Sequence, residues 1–200
     1  TNAANHLITP EHLEKHRDLL HTAAFLLADA NINLDTIEWL LAFSRETNIP
    51  FIIEPVSVPP ARKLKEIPLH GLFLVTPNED ELPAMCSAKA FFTQQQVEEM
   101  INRGVQNIWL HNGKHGSALY NAHKTITLPA PDIEVVDCTG AGDGSLTGFI
   151  LGKYLGKSDM ECLKLAHTLS AEILQVNGAT APNLSQESLL NKISTYYPAS

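Results

Sequence analysis

The sequence predicts an α/β protein built around a mainly parallel sheet. Four short apolar runs alternate with helical segments as far as His111, which is the pattern of repeated strand and helix units. The 200 residues are 44% hydrophobic and 18% charged, a composition typical of a folded globular protein. We therefore expect a three-layer fold, with helices on both faces of the sheet.

The elements follow in order along the chain. Thr9 and Pro10 form a typical helix start, and "EHLEKHRDLLHTA" continues as a helix. The apolar run 25–28, which ends at Asp29, predicts the first strand. In the next segment, "INLDTIEWLLAFSRETN", the apolar residues have helical spacing and predict a helix. The run "FIIEP" after it predicts the second strand.

The segments "GLFLVTP" and "NIWLH" predict the third and fourth strands, each after a helical segment. Between Ser117 and Pro129 two brief β-like runs meet near Asn121, which indicates a small hairpin or edge pair. Three helical segments follow the glycine-rich stretch that begins at Val135. No linker or repeat divides the chain, so we predict one α/β domain over residues 1–200.

Charge and cysteine content restrict the class of protein. The net charge of −8 and the pI near 5.5 argue against nucleic acid or an anionic membrane as a partner. The three cysteines show no CxxC spacing, so we expect reduced thiols and a cytoplasmic location. Any phosphate-bearing ligand would then be held by local geometry.

Polar residues stand where the predicted strands end. They are Asp29, Glu54, Asn78, Asn112 and Asp137. Ligands of open parallel sheets collect beyond the carboxyl ends of the strands, so each residue is a candidate contact. Each is equally consistent with a turn former or a helix cap.

The stretch "VVDCTGAGDGSLTGFI" places four glycines around one carboxylate, Asp143. It fails the dinucleotide fingerprint at Ser145, and it supplies neither a P-loop nor a nucleophile elbow. Exposed backbone amides at a helix N-terminus would bind phosphate oxygens, with Asp143 placed to take a proton from an attacking hydroxyl. The alternative is a tight glycine turn in which Asp143 only caps the helix.

The segment "DCTGAGDGSLTG" resembles the second signature of the ribokinase-like, or phosphofructokinase B, carbohydrate kinases. Upstream, "TPNEDEL" is similar to the N-x-x-E motif of that family, and "LHNGKHGSALY" is similar to its nucleotide-binding strand and turn. Three motifs occur in the family's order. The resemblance implies an enzyme that phosphorylates a hydroxymethyl group with ATP and Mg²⁺.

The resemblance also implies roles for individual residues. Asp143 would be the base, and the amides of Gly140, Ala141 and Gly142 would neutralise charge on the transferred phosphoryl group. Asn78 and Glu81 would organise Mg²⁺, and Asp137 would lie beside a monovalent cation such as K⁺. The nucleotide loop would contain Asn112, Gly113 and Gly116. The adenine would be bordered by His167 and Gly178. His167 is also consistent with an ordinary core histidine, and Cys138 replaces the usual Thr of the motif.

The stretch from Asp29 to Leu64 is similar to pseudouridine kinases, in which an acid-x-Asn and a later E-P-V-S recur. That similarity implies pseudouridine as the acceptor, with Asp29 and Asn31 beside the sugar. Local turn chemistry is the alternative for both residues. Two other functions stay open: a kinase for ribose, adenosine or a sugar acid, and a nucleotide-binding module without catalysis.

The resemblance covers only the later part of a full kinase of this family. We expect the N-terminal lid and most of the sugar-binding segment to be missing from these residues. Their absence would expose a sheet edge, which leaves pairing with a second copy as an option.

Overall fold

The computed structural model describes residues 2–87, 89–182 and 184–198. It contains a six-stranded sheet in the order β1-β2-β3-β4-β5-β6. The pairs from β1 to β4 are parallel, which confirms the α/β class. The strands are β1 (Leu26–Asp29), β2 (Phe51–Glu54), β3 (Leu72–Val75), β4 (Asn107–His111), β5 (Ser117–Tyr120) and β6 (Thr125–Leu128).

Strands β5 and β6 are neighbours at one end of the sheet, as the hairpin prediction requires. The Asn121 amide donates to the Lys124 carbonyl, and the Asn121 side chain accepts from the amides of His123 and Lys124. The bond between the Asn121 side chain and the backbone amide two residues later is the Asx-turn that Asn favours.

The helices are α1 (Pro10–Lys15), α2 (Arg17–Leu20), α3 (Leu34–Thr47), α4 (Val58–Lys63), α5 (Glu81–Met85), α6 (Thr93–Asn102), α7 (Ala141–Tyr154), α8 (Asp159–Leu174) and α9 (Gln186–Tyr196). The prediction of one continuous first helix was wrong. His16 leaves the helical region, with φ −110° and ψ 16°, and separates α1 from α2. The three predicted C-terminal helices are present, and α7 already begins at Ala141.

The chain divides into two compact units, one of Thr1–Asn112 and Ala118–Thr125, the other of Gly113–Ser117 and Ile126–Ser200. In the first unit, alternate residues of β2, such as Phe51 and Ile53, join a buried cluster with α3 to α6. Ile52 points to the opposite face and is also fully buried, whereas its partner Leu27 on β1 is 55% exposed.

In the second unit, α7 and α8 approach each other through glycines. A Cβ at Gly148 would lie 2.7 Å from the Cα of Ala166, and a Cβ at Gly152 would lie 2.9 Å from the Cα of Cys162. Real Cβ atoms do not approach other atoms so closely, so both positions require Gly. The glycine content of this region therefore has a packing cause as well as the functional one that the sequence predicts.

Within the part of the chain that the structure describes, no helix is long and apolar enough to cross a membrane.

Candidate active site

The carboxyl ends of β1, β2 and β3 bring polar residues to one edge of the first unit. Asp29 on β1 is in register with Glu54 on β2, and Asn78 forms a parallel bridge with His111 at the end of β4. These candidate residues of the first unit therefore lie at the carboxyl ends of parallel strands, where ligands of such sheets collect. Asp137, the fifth of them, belongs to the second unit.

Asp29 and Asn31 form a local turn. The Asp29 Oδ1 accepts a hydrogen bond from the Asn31 amide at 2.8 Å, and the Asp29 side chain is exposed. This is the turn chemistry that the sequence offered as an alternative to sugar binding. The Asp29 side chain is exposed as well as bonded, so the geometry is compatible with both interpretations.

Glu54 forms a hydrogen bond with Thr76, the residue directly after β3. The sequence patterns do not single out Thr76. The Thr76 hydroxyl donates to Glu54 Oε2, and Thr76 is 2% exposed. Two residues after Glu54, Val56 adopts φ +69°, which is rare for a β-branched residue. A hydroxyl residue at a buried strand end was the only sequence signal for Thr76.

Asn78 and Glu81 bond to each other reciprocally. The Asn78 Oδ1 accepts from the Glu81 amide, and the Glu81 Oε2 accepts from the Asn78 amide, both at 2.9 Å. These reciprocal bonds have the pattern of a capping box and stabilise the turn of residues 78–81 that leads into α5. Glu81 is 4% exposed, and burial raises the pKa of its carboxyl group. The N-x-x-E motif thus has a structural use in addition to the proposed role with Mg²⁺.

Asn112 follows β4 and carries an unusual polar atom. Its Oδ1 is buried and has no hydrogen-bond partner among the described residues. Buried acceptors in folded proteins are nearly always paired, so this oxygen is available to a water molecule or a ligand donor. Asn112 is therefore the residue of the predicted nucleotide loop with a polar atom free to bind a ligand.

The two glycines of the predicted nucleotide loop, Gly113 and Gly116, differ in the space around them. Gly113 has φ +52°, and a Cβ there would meet nothing within 4 Å. Gly116 has φ +99°, and a Cβ there would lie 2.1 Å from the Leu128 carbonyl oxygen. Gly116 is therefore required by the fold, and only Gly113 presents open space to a ligand.

In the second unit, the first turn of α7 carries the candidate phosphoryl site. Gly140 is the N-cap, with φ +79° and ψ 0°, and Ala141, Gly142 and Asp143 form the first turn. Gly142 and Asp143 are exposed, and a Cβ at Gly142 would meet nothing within 4 Å. The four predicted residues are thus adjacent and accessible.

Two backbone donors of this turn are free. The Gly144 amide donates to the Gly140 carbonyl at 2.8 Å, and the Ala141 amide contacts the Cys138 carbonyl at 3.4 Å. Among the described residues, the amides of Gly142 and Asp143 have no acceptor. Unpaired amides at a helix start, together with the helix dipole, form an anion site.

Asp137 fastens the loop before α7 to the loop after α8. Its Oδ1 accepts from the amide and hydroxyl of Thr139, and its Oδ2 accepts from the Gly178 amide at 3.0 Å. These bonds to Thr139 and Gly178 lower the pKa of the Asp137 carboxyl group. Two predicted site residues, Asp137 and Gly178, are therefore in direct contact.

His167 on α8 is a core residue whose two ring nitrogens are occupied. Tyr197 donates its hydroxyl proton to the Pro129 carbonyl, so its oxygen accepts from His167 Nδ1 at 2.8 Å. Nε2 then accepts from the Ser117 hydroxyl at 2.8 Å. His167 is 7% exposed, and burial lowers its pKa to about 4. These contacts favour the core interpretation over the adenine border.

The buried neutral His167 predicts a pH-dependent stability. Its pKa falls from 6.5 to about 4 on folding, so the unfolded state binds the extra proton between these values. The stabilisation is complete above pH 6.5 and is lost as the pH falls toward 4, amounting to about 3 kcal/mol. The free energy of unfolding is measured with urea at pH 7.5 and pH 4.5 for wild type and His167→Gln. We expect this free energy to fall less between the two pH values in His167→Gln than in wild type, and to fall as in wild type in the exposed control His123→Gln. An equal fall in His167→Gln and wild type would contradict the assignment.

The chain is similar in sequence to known sugar and nucleoside kinases. The chain is 26% identical over 164 residues to ribokinase of Bacillus subtilis, which covers 82% of this chain and 53% of that protein. It is 24% identical over 191 residues to pseudouridine kinase of Escherichia coli, which covers 93% of this chain and 60% of that protein. The chain thus spans little more than half the length of these two relatives.

Solved structures show the same fold. A carbohydrate kinase from Agrobacterium tumefaciens superposes with a TM-score of 0.81 at 26% identity, over 97% of this chain and 62% of that one. A ribokinase II described as putative, from Escherichia coli in complex with ATP and Mg²⁺, superposes with a TM-score of 0.76 at 16% identity, over 94% of this chain and 62% of that one. The sequence profile of the pfkB family carbohydrate kinases matches residues 1–186, so the chain belongs to that family.

Proposed function

We propose that the full-length protein transfers the γ-phosphoryl group of ATP to a hydroxymethyl group of a sugar or nucleoside. The first turn of α7 carries this proposal. It combines the unpaired amides of Gly142 and Asp143 with an exposed carboxylate that accepts no hydrogen bond from any described residue. Donors for a phosphoryl group and a base for a hydroxyl are the two requirements of this reaction.

Asp143 would take the proton of the attacking hydroxyl while the amides stabilise charge on the transferred oxygens. Gly140 holds the turn in the left-handed conformation that exposes these amides. Asn112 would contribute its unpaired Oδ1 to a donor of the nucleotide. Asp137 would keep the loop before α7 in place, whether or not K⁺ binds beside it.

The residues fit Mg²⁺ as a cofactor bound mainly through phosphates and water. Glu81 and Asn78 offer oxygen atoms, and the described residues contain no group of three or more His, Cys, Asp or Glu that could hold a metal ion. Mg²⁺ usually binds through one or two carboxylates, substrate phosphates and retained waters. When bound, the ion would neutralise charge on the phosphates.

Pseudouridine is the acceptor that we propose. Support comes from the acid-x-Asn pair at Asp29 and Asn31 and from the E-P-V-S segment, in which Val56 adopts its unusual backbone conformation. Relatives with other substrates, ribokinase among them, match at a similar level. Another sugar or nucleoside kinase is therefore the second candidate.

A substrate panel separates these candidates. Purified full-length protein with ATP and Mg²⁺ is offered pseudouridine, uridine, ribose, adenosine and a sugar acid, and ADP release is measured. We expect the highest kcat/KM with pseudouridine and product phosphate on its 5′-oxygen. A higher kcat/KM with ribose or adenosine would refute the pseudouridine assignment and leave the kinase class intact.

A further inference from the structure

Two histidines lie side by side at the end of α1, where His12 belongs to the helix and His16 is its C-cap residue. His12 and His16 are four residues apart, both are exposed, and their ring centres are 4.9 Å apart with the planes tilted by 59°. Side chains at this spacing are neighbours on a helix surface. Neither residue takes part in the kinase site described above.

The separation of the rings matches that of two imidazoles bound to one metal ion. Metal–nitrogen bonds of about 2.0–2.1 Å place two ring centres roughly 4.5–5.5 Å apart at bond angles between square-planar and tetrahedral. The observed 4.9 Å falls within that range. The separation of the ring centres is therefore compatible with both imidazoles binding one ion.

The backbone beneath the rings is held firmly. The Thr9 hydroxyl oxygen accepts from the His12 amide at 3.2 Å, and Leu13 packs against the buried cluster of the first unit. Arg17 then binds both carboxylate oxygens of Glu46 at 2.5 and 2.6 Å. A preorganised pair loses less entropy on binding an ion than a flexible one does.

The local charge is also compatible with a cation. Lys15 and Arg17 flank His16 in the sequence. Arg17 bonds to the carboxylates of both Glu14 and Glu46. Lys15 interacts electrostatically with the Glu11 carboxylate, so both positive charges are offset at short range. Imidazole nitrogen prefers Cu²⁺, Ni²⁺ and Zn²⁺ over Mg²⁺ or Ca²⁺.

We propose that His12 and His16 form a two-ligand surface site for a divalent transition-metal ion, with Cu²⁺ bound most tightly. No third His, Cys, Asp or Glu joins the pair among the described residues, so water or an external chelator completes the coordination. Cu²⁺ stands above Ni²⁺ and Zn²⁺ in the general order of stability. The site is independent of phosphoryl transfer.

The test uses the full chain at pH 7.5 and Cu²⁺–iminodiacetate, a probe whose open positions accept two neighbouring imidazoles. Calorimetry gives the affinity, and electron paramagnetic resonance reports nitrogen coordination. We expect His12→Ala and His16→Ala each to weaken binding by roughly 10- to 100-fold, since the second ring binds intramolecularly. His123→Ala removes an exposed histidine on another turn and should leave the affinity unchanged.

A transposed variant separates geometry from histidine count. Glu14→His combined with His16→Ala keeps nine histidines but places the pair two residues apart, where side chains do not face each other. We expect it to bind as weakly as the single variants, while circular dichroism shows the wild-type fold. Wild-type affinity in His12→Ala, in His16→Ala or in the transposed variant would overturn the proposal.

Discussion

Replacing Asp143 with Asn is expected to reduce phosphoryl transfer by roughly 10²- to 10⁴-fold, the usual contribution of a general base. The substitution keeps the shape of the side chain and removes its ability to take a proton. Asp143 is exposed, and its side chain makes no hydrogen bond to a described residue, so stability should change little. Single-turnover rates and ATP affinity, both in the full-length protein, are the measurements.

The matched control for this change is Asp132→Asn, which alters an exposed acid elsewhere in the second unit. We expect it to retain wild-type turnover. ATP affinity should survive in both variants because the nucleotide does not depend on the base. If Asp143→Asn phosphorylates its acceptor at the wild-type rate, Asp143 only caps α7. If the wild-type protein binds ATP but transfers phosphate to no acceptor, the binding module without catalysis gains support.

Much of the fold could be predicted because its elements depend on local patterns. The apolar residues of β2 and β4 form short, buried runs that end in polar residues, so composition alone indicates these strands. The break at His16 could not be foreseen, since "HLEKHRDLL" continues a helical pattern through it. Arg17 beyond the break bonds to Glu46 on α3, a tertiary contact that sequence periodicity does not report.

The candidate site was only partly predictable, because one sequence pattern can serve two purposes. Asn78 and Glu81 match a family motif, and they also stabilise the turn that leads into α5 through reciprocal bonds. His167 has both ring nitrogens bonded within the protein, which no pattern in its own helix indicates. Residues distant in sequence, Ser117 and Tyr197, decide its environment.

The glycines show the same ambiguity. A Cβ at Gly144 would lie 2.3 Å from Ile173 Cδ1, and one at Gly148 would meet the backbone of α8. Gly148 serves helix packing, the Gly144 amide is already bonded to the Gly140 carbonyl, and Gly142 faces open space. Of the four glycines in the motif, only Gly140 and Gly142 thus remain as candidates for the phosphoryl site.

Substituting these two glycines with Ala is expected to give opposite effects on stability. Gly140 has φ +79°, and its Cβ would lie 2.5 Å from the Ala179 carbonyl oxygen. The left-handed conformation alone costs Ala about 1–2 kcal/mol, and the contact with Ala179 adds to it. Gly142→Ala places a better helix former in open space and should stabilise the protein by up to about 1 kcal/mol. Urea unfolding of both variants measures the difference.

Activity then distinguishes an anion site from a simple turn. If the amides of Gly142 and Asp143 hold the phosphoryl group, a methyl at position 142 crowds its approach. We expect Gly142→Ala to lower the transfer rate by up to roughly 10²-fold, similar to the loss of one such donor, in a protein at least as stable as wild type. Full activity in Gly142→Ala would mean that Gly142 serves only to form the helix start. Because Gly140→Ala disturbs the turn itself, its loss of activity should accompany its loss of stability.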